Sequence, residues 1–182
     1  FGQAHGLRIG AIRDLIEYRA ANDNLVDKVA EKDVDTAHGR FRLTAFEDKT
    51  SGDVHFALSH GDIRPERETL VRVHEPISVL DFLDAGSGHH TFPVNQALAT
   101  LAAAEAGVIV LLYRPMSGRE LLAGLDGGHD RPTAKWDARL FGVGAQILRA
   151  LRVGKMRLLA SPRKIPSMTG FGLEITGFVD KN

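Results

Sequence analysis

The chain contains no cysteine, which excludes disulfides, thiolate nucleophiles and any cysteine-ligated metal. It has no apolar run near the roughly 20 residues needed to span a bilayer, and Phe1 opens no basic-then-apolar leader. Charge of one sign is also missing: 23 basic residues balance 23 acidic ones, so the formal net charge is zero. No global field draws in a polyanion, and neither nucleic acid nor a membrane surface is the expected partner. A soluble, cytoplasmic protein is the reading. With 182 residues, 43% of them apolar, the chain is long enough for one principal domain with a real core.

The first segment, HGLRIGAIRDLIEYRAAND, sets Ile9, Ile12, Leu15 and Ile16 on one helical stripe and predicts a short amphipathic helix. Residues 21–37 are polar, rich in Asp and Lys, and read as a solvated connection. The pattern then alternates: GRFRLTAFED, DVHFALSHGD and TLVRVH read as antiparallel strands, with KTSG as a turn. From Pro93 the chain turns α/β. PVNQALATLAAAEAG predicts an Ala-rich helix closed by Gly107, and VIVLLY a buried strand. ARLFGVGAQILRALRVG predicts a second helix, and MRLLA and GLEITGFV two more strands. Ser117 to Lys135, rich in glycine, reads as a loop.

The stretch GAQILRALRVGKMRLLASPRKIPSMTGFGLEITGFV resembles the C-terminal signature of GTP cyclohydrolase II. GRFRLTAFED, HFALSHGDI and LVRVH resemble the same family's N-terminal strands in order. The resemblance implies an α/β, GTP cyclohydrolase II-like fold: a mixed sheet with an antiparallel β portion and helices packed on it. HGLRIGAIRDLIEYR resembles the closing helix of dihydroxybutanone phosphate synthase, often fused ahead of the cyclohydrolase. The implied organisation is a synthase tail helix over 1–20, a linker over 21–37 and the cyclohydrolase-like domain over 38–182. A fused synthase domain and a second copy in a homodimer are the implied partners.

That family opens the guanine imidazole ring with a zinc-bound water held by three cysteines, because a Lewis acid brings the pKa of water to about 7. Without gaps from Val71 to Leu98, the three ligand positions hold Ile77, Gly88 and His90. Imidazole is a zinc ligand, so His74, His89 and His90 with Asp81 and Asp84 form a conceivable replacement set. Ile77 has no donor atom, and GSGHH reads as a solvated glycine loop. The metal and cofactor expectation is therefore none.

The nucleotide site is altered in the same way. After Tyr113, where the family has a phosphate-contacting Arg-Gln-Glu-Gly-Arg, Pro115, Met116 and Ser117 stand in place of the first three residues. Gly118 and Arg119 remain. GLDGGHDRPTAK replaces an insertion that helps to bind the base. Asp137 and Arg139 match the pair to which the family assigns proton acceptance and attack on the α-phosphate. Tyr113 matches its strand tyrosine, and Lys164 its phosphate-loop lysine, although SPRK is one residue shorter. The resemblance thus implies Asp137, Arg139 and Tyr113 as catalytic positions, and Gly118, Arg119 and Lys164 as binding positions for a purine nucleotide or pathway metabolite. An acidic residue before a helix and an exposed arginine in its first turn account for Asp137 and Arg139 equally well.

Three functions stay open at this level. One is a degenerate domain without GTP hydrolase activity that supports or regulates the fused synthase. The second is an active GTP cyclohydrolase II with an altered metal site. The third is a structural dimerisation domain that joins through its β portion.

Overall fold

A computed structural model describes residues 5–11, 18, 22–77, 82–83, 92–113, 117–119, 122, 138–162, 165 and 168–180. Seven described strands form one sheet: β1 (Val26–Thr36), β2 (Gly39–Asp48), β3 (Val54–Gly61), β4 (Glu68–Ile77), β5 (Ala106–Tyr113), β6 (Lys155–Leu159) and β7 (Glu174–Val179). Two helices are described over their whole length among these residues, α1 (Val94–Ala102) and α2 (Ala138–Ala150). The strand order is β1-β2-β3-β5-β4-β6-β7. β1, β2, β3 and β5 pair antiparallel in turn, whereas β4 lies parallel to β5 and β6, and β6 parallel to β7.

The two helices cover opposite faces. Leu140, Val143, Ile147 and Leu148 of α2 recur at helical spacing and pack with Phe46, Ala57, Val71, Val108, Val110 and Leu112. Val94, Ala97, Leu98 and Leu101 of α1 do the same against Phe41, Leu58, Ile109 and Leu111. Both sets of β5 side chains are therefore shielded, which is why AGVIVLLY is apolar throughout instead of alternating. Burial of this kind yields about 25 cal/mol per Å² of apolar surface, so β5 is the backbone of the fold.

Several expectations are corrected. Residues 26–36, read as part of a solvated connection, form β1, whose register with β2 runs from Val26↔Asp48 to Thr36↔Gly39. Its side chains are nearly all exposed, so it carries the polar composition of a linker while its backbone bonds form the sheet edge. A register shift between Lys28 and Ala30 bulges the strand at Val29. TLVRVH, read as antiparallel, is a parallel strand, because α1 carries the chain back before β5. Gly107 does not close the first helix, which ends at Ala102. It lies within β5, where a Cβ would come within 3.0 Å of the Leu101 side chain, so the glycine lets helix and strand approach.

Ile12, Leu15 and Ile16 of the expected first helix lie outside the described residues, and residues 7–11 are not helical. Ile9 is 79% exposed. In the segment read as a loop, Gly118, Arg119 and Leu122 are helical. No helix among the described residues is long and apolar enough to cross a membrane.

Candidate functional site

The pairing directions bring the ends of β2, β4 and β5 and the start of β3 to one rim of the sheet. α2 begins at the same rim, since Arg139 in its first turn reaches Asp48 at the end of β2. Ligands of open α/β sheets bind at the carboxyl ends of parallel strands, and here those ends carry Ile77 and Tyr113, paired Cα to Cα.

Asp48 is the centre of the rim. Its Oδ1 accepts the Thr50 N–H at 2.7 Å and its Oδ2 the Ser51 hydroxyl at 3.1 Å. A carboxylate bonded to the N–H two residues on is an Asx turn, and it shapes the β2–β3 hairpin, with Gly52 at φ +75°. The remaining reach of Oδ2 is toward Arg139, whose Nη1 lies 3.8 Å away. Burial pushes the Asp48 carboxyl up, but the bonds from Thr50 and Ser51 and the Arg139 charge outweigh it and hold the group below the usual carboxylate range.

His55 sits beside this carboxylate, fully buried and cross-strand from Phe46. Its Nδ1 accepts the Tyr113 N–H at 3.1 Å, so an imidazole closes the end of β5 where the ladder with β3 stops. Nδ1 as acceptor makes Nε2 the protonated nitrogen of the neutral ring, and Nε2 is buried with no hydrogen-bond partner among the described residues. Burial pushes the ring's pKa down, the Asp48 and Asp53 carboxylates push it up, and Arg139 pushes it down again, with a net lowering.

Of the expected site residues, Arg139 and Tyr113 stand at this rim, Arg139 facing Asp48 and the Tyr113 N–H bonded to His55. Both side chains are more than two-fifths exposed. The register nevertheless separates them. Tyr113 follows Leu111 on the α1 face of β5, while Arg139 belongs to α2 on the other face. Gly118 and Arg119 are exposed. Asp137 and Lys164 lie outside the described residues, as do Asp81, Asp84, Gly88, His89 and His90. His74, named as a conceivable metal ligand, is fully buried on β4. Among the described residues no three His, Asp or Glu side chains gather as a metal-holding group.

Sequence reasoning missed Asp48 and His55. Asp48 carried a signal, being the first residue of DKTSGD, where an Asx turn is expected. His55 carried a weaker one, since it falls in phase with buried Ala57.

Comparison with known proteins gives this rim its context. The chain is 42% identical over 178 residues to a 3,4-dihydroxy-2-butanone 4-phosphate synthase of Neisseria meningitidis, covering 98% of this chain and 49% of that protein. It is 34% identical to the riboflavin biosynthesis protein RibBA of Chlorobium phaeovibrioides, covering 93% of this chain and 45% of that one. The crystal structure of RibBX, a two-domain 3,4-dihydroxy-2-butanone 4-phosphate synthase from A. baumannii, superposes with a TM-score of 0.60 at 32% identity. That match covers all of this chain and 48% of the other. The chain thus spans about half the length of the relatives it matches. A model of the GTP cyclohydrolase II family matches residues 27–180, and the chain belongs to that family.

Proposed function

We propose that this chain is a degenerate GTP cyclohydrolase II-like domain, without GTP hydrolase activity, that supports or regulates a 3,4-dihydroxy-2-butanone 4-phosphate synthase fused ahead of it in riboflavin biosynthesis. The observation that carries the reading is Ile77. At the end of β4, beside Tyr113, the family's first zinc thiolate is replaced by a hydrocarbon, in a chain without a single cysteine. The residues present do not fit a three-cysteine zinc site. Relatives named for the synthase alone, such as that of Neisseria meningitidis, support the same reading. So does the replacement of the phosphate-contacting residues after Tyr113 by Pro115, Met116 and Ser117.

The surviving rim retains the means to hold a ligand. Arg139 in the first turn of α2 adds a guanidinium to the positive end of the helix dipole, a combination that suits phosphate. On this reading Arg139, Tyr113, Gly118, Arg119, Lys164 and Asp137 serve to bind a purine nucleotide or pathway metabolite without hydrolysing it. The protein acts in the cytoplasm as a homodimer.

The test pairs metal analysis and GTP-dependent formate release with calorimetric titration of GTP, on wild type and Arg139→Ala. The expected result is no formate, and GTP binding that Arg139→Ala weakens about tenfold, near 1.4 kcal/mol. The parent synthase is expected to lose rate or stability when residues 23–180 are deleted. Stoichiometric divalent metal with GTP consumed would instead establish an active enzyme with an altered metal site. No GTP binding, with the synthase unaffected by the deletion, would leave the structural dimerisation role.

A further inference from the structure

One side chain fixes the way the chain enters the sheet. Gln146 of α2 is only 6% exposed, and both ends of its amide are used. Oε1 accepts the Leu25 N–H at 2.6 Å, and Nε2 donates to the Asp23 carbonyl at 3.1 Å. An amide carries both acceptor and donors, so it meets an N–H and a C=O of one extended stretch as a neighbouring strand would. These bonds join segments more than 120 residues apart.

The same stretch is tied twice more. The Leu25 carbonyl accepts the Lys49 N–H at 2.9 Å, and the Asn24 Oδ1 accepts the Val26 N–H at 3.3 Å. Val26 is itself buried in the core that α2 covers. Residues 23–26 are thus held by helix, hairpin turn and core before β1 begins its exposed course. A flexible tether has no such bonds, because its value lies in sampling many directions.

We propose that Gln146 is an interdomain positioning residue: by clamping Asp23–Leu25 to α2 it makes this segment a rigid root, from which the preceding domain of the same polypeptide leaves in one fixed direction. The proposal rests on the reading that a synthase domain precedes residue 23, and not on any ligand or rate. Gln146 follows Arg139 by seven residues, about two helical turns and 10 Å along one side of α2. The hairpin that binds the Leu25 carbonyl through Lys49 also carries Asp48, which faces Arg139. Root and rim therefore share one helix and one turn.

The test uses the full parent protein with Gln146→Leu, which removes both bonds at similar volume, and Asn24→Ala, a surface change that loosens the same root without touching the core. Two spin labels, one at exposed position 35 and one in the preceding domain, report the distance distribution between the domains. Hydrogen exchange reports the Leu25 and Val26 amides. Wild type is expected to give one narrow distance. Gln146→Leu is expected to broaden it and to speed Leu25 exchange at least tenfold, with the amides of residues 108–112 still protected, and Asn24→Ala to broaden it less. A wild-type distribution as broad as the variants', or a narrow one in both variants, overturns the proposal. If Gln146→Leu does not fold, Asn24→Ala decides alone. A synthase rate that ignores this domain would refute the proposed function yet leave these distances untouched.

Discussion

Replacing Asp48 by Ala and by Asn separates the two tasks that its carboxylate performs. One is to accept the Thr50 N–H and the Ser51 hydroxyl; the other is to face Arg139 at 3.8 Å. A hydrogen bond to a charged acceptor contributes about 1.5–3 kcal/mol, and the turn is partly exposed, so the low end applies to each: about 3 kcal/mol together. The ion pair contributes less, about 0.2–1 kcal/mol, because Arg139 is nearly half exposed and screened by water. Asp48→Ala loses everything. Asp48→Asn keeps Oδ1 for Thr50 and lets the Ser51 hydroxyl turn to accept, so it costs about 1 kcal/mol. In a domain of this size 1 kcal/mol moves Tm by roughly 2–4 °C, so the loss of about 3–4 kcal/mol predicts falls of about 6–16 °C for Ala, against about 2–4 °C for Asn, by calorimetry at pH 7. The folded carboxyl is held below its ordinary range. Its contribution is therefore complete above the unfolded value of about 3.9 and is lost as pH falls through the folded one. The gap between wild type and Asp48→Asn should narrow toward pH 3. If Asn proves as costly as Ala and Arg139→Ala matches both, the ion pair governs the turn and the reasoning fails.

His55 predicts a second pH effect. Its folded pKa is lowered by burial, so stability is complete above the unfolded value of about 6.5 and declines as pH falls from there toward the folded value. His55→Gln keeps an acceptor for the Tyr113 N–H, and should flatten the fall in Tm between pH 7 and 5; an unchanged slope would assign that fall to other groups. Gly61 has φ +79°, and a Cβ there would lie 1.9 Å from the Glu105 carbonyl oxygen. Gly61→Ala should cost at least about 3 kcal/mol in a denaturant melt, and a cost under 1 kcal/mol would mean that the β3–β5 end is not packed as described.

Six of the seven described strands, and helices α1 and α2, were legible in the sequence, because their periodicities match their surroundings: β5 runs apolar between two helix-covered faces, and β2 and β3 alternate. β1 was hidden. Its eleven residues sit at an edge with both faces mostly wet, so its apolar residues Val26, Val29, Ala30 and Val34 show no alternation, and only its backbone register with β2 reveals it. The direction of β4 was illegible for a related reason, since alternation reports which faces are covered and not which neighbour lies alongside. Arg139 and Tyr113, which the structure places at the rim, were named through resemblance alone. The bonds of Asp48 to the turn and of His55 to the Tyr113 N–H depend on register and burial, which no residue type announces.

The bulge at Val29 has a consequence for behaviour at high concentration. An outermost strand offers a ladder of backbone groups on which a foreign strand could build, and long flat edges of this sort seed fibres. Here Lys28, Glu31, Lys32, Asp33 and Asp35 line the edge with both signs of charge, and the extra residue twists the ribbon out of flatness. The sheet is thereby closed to further growth on this side, and the polar composition that disguises β1 as a tether is what keeps it from recruiting strangers.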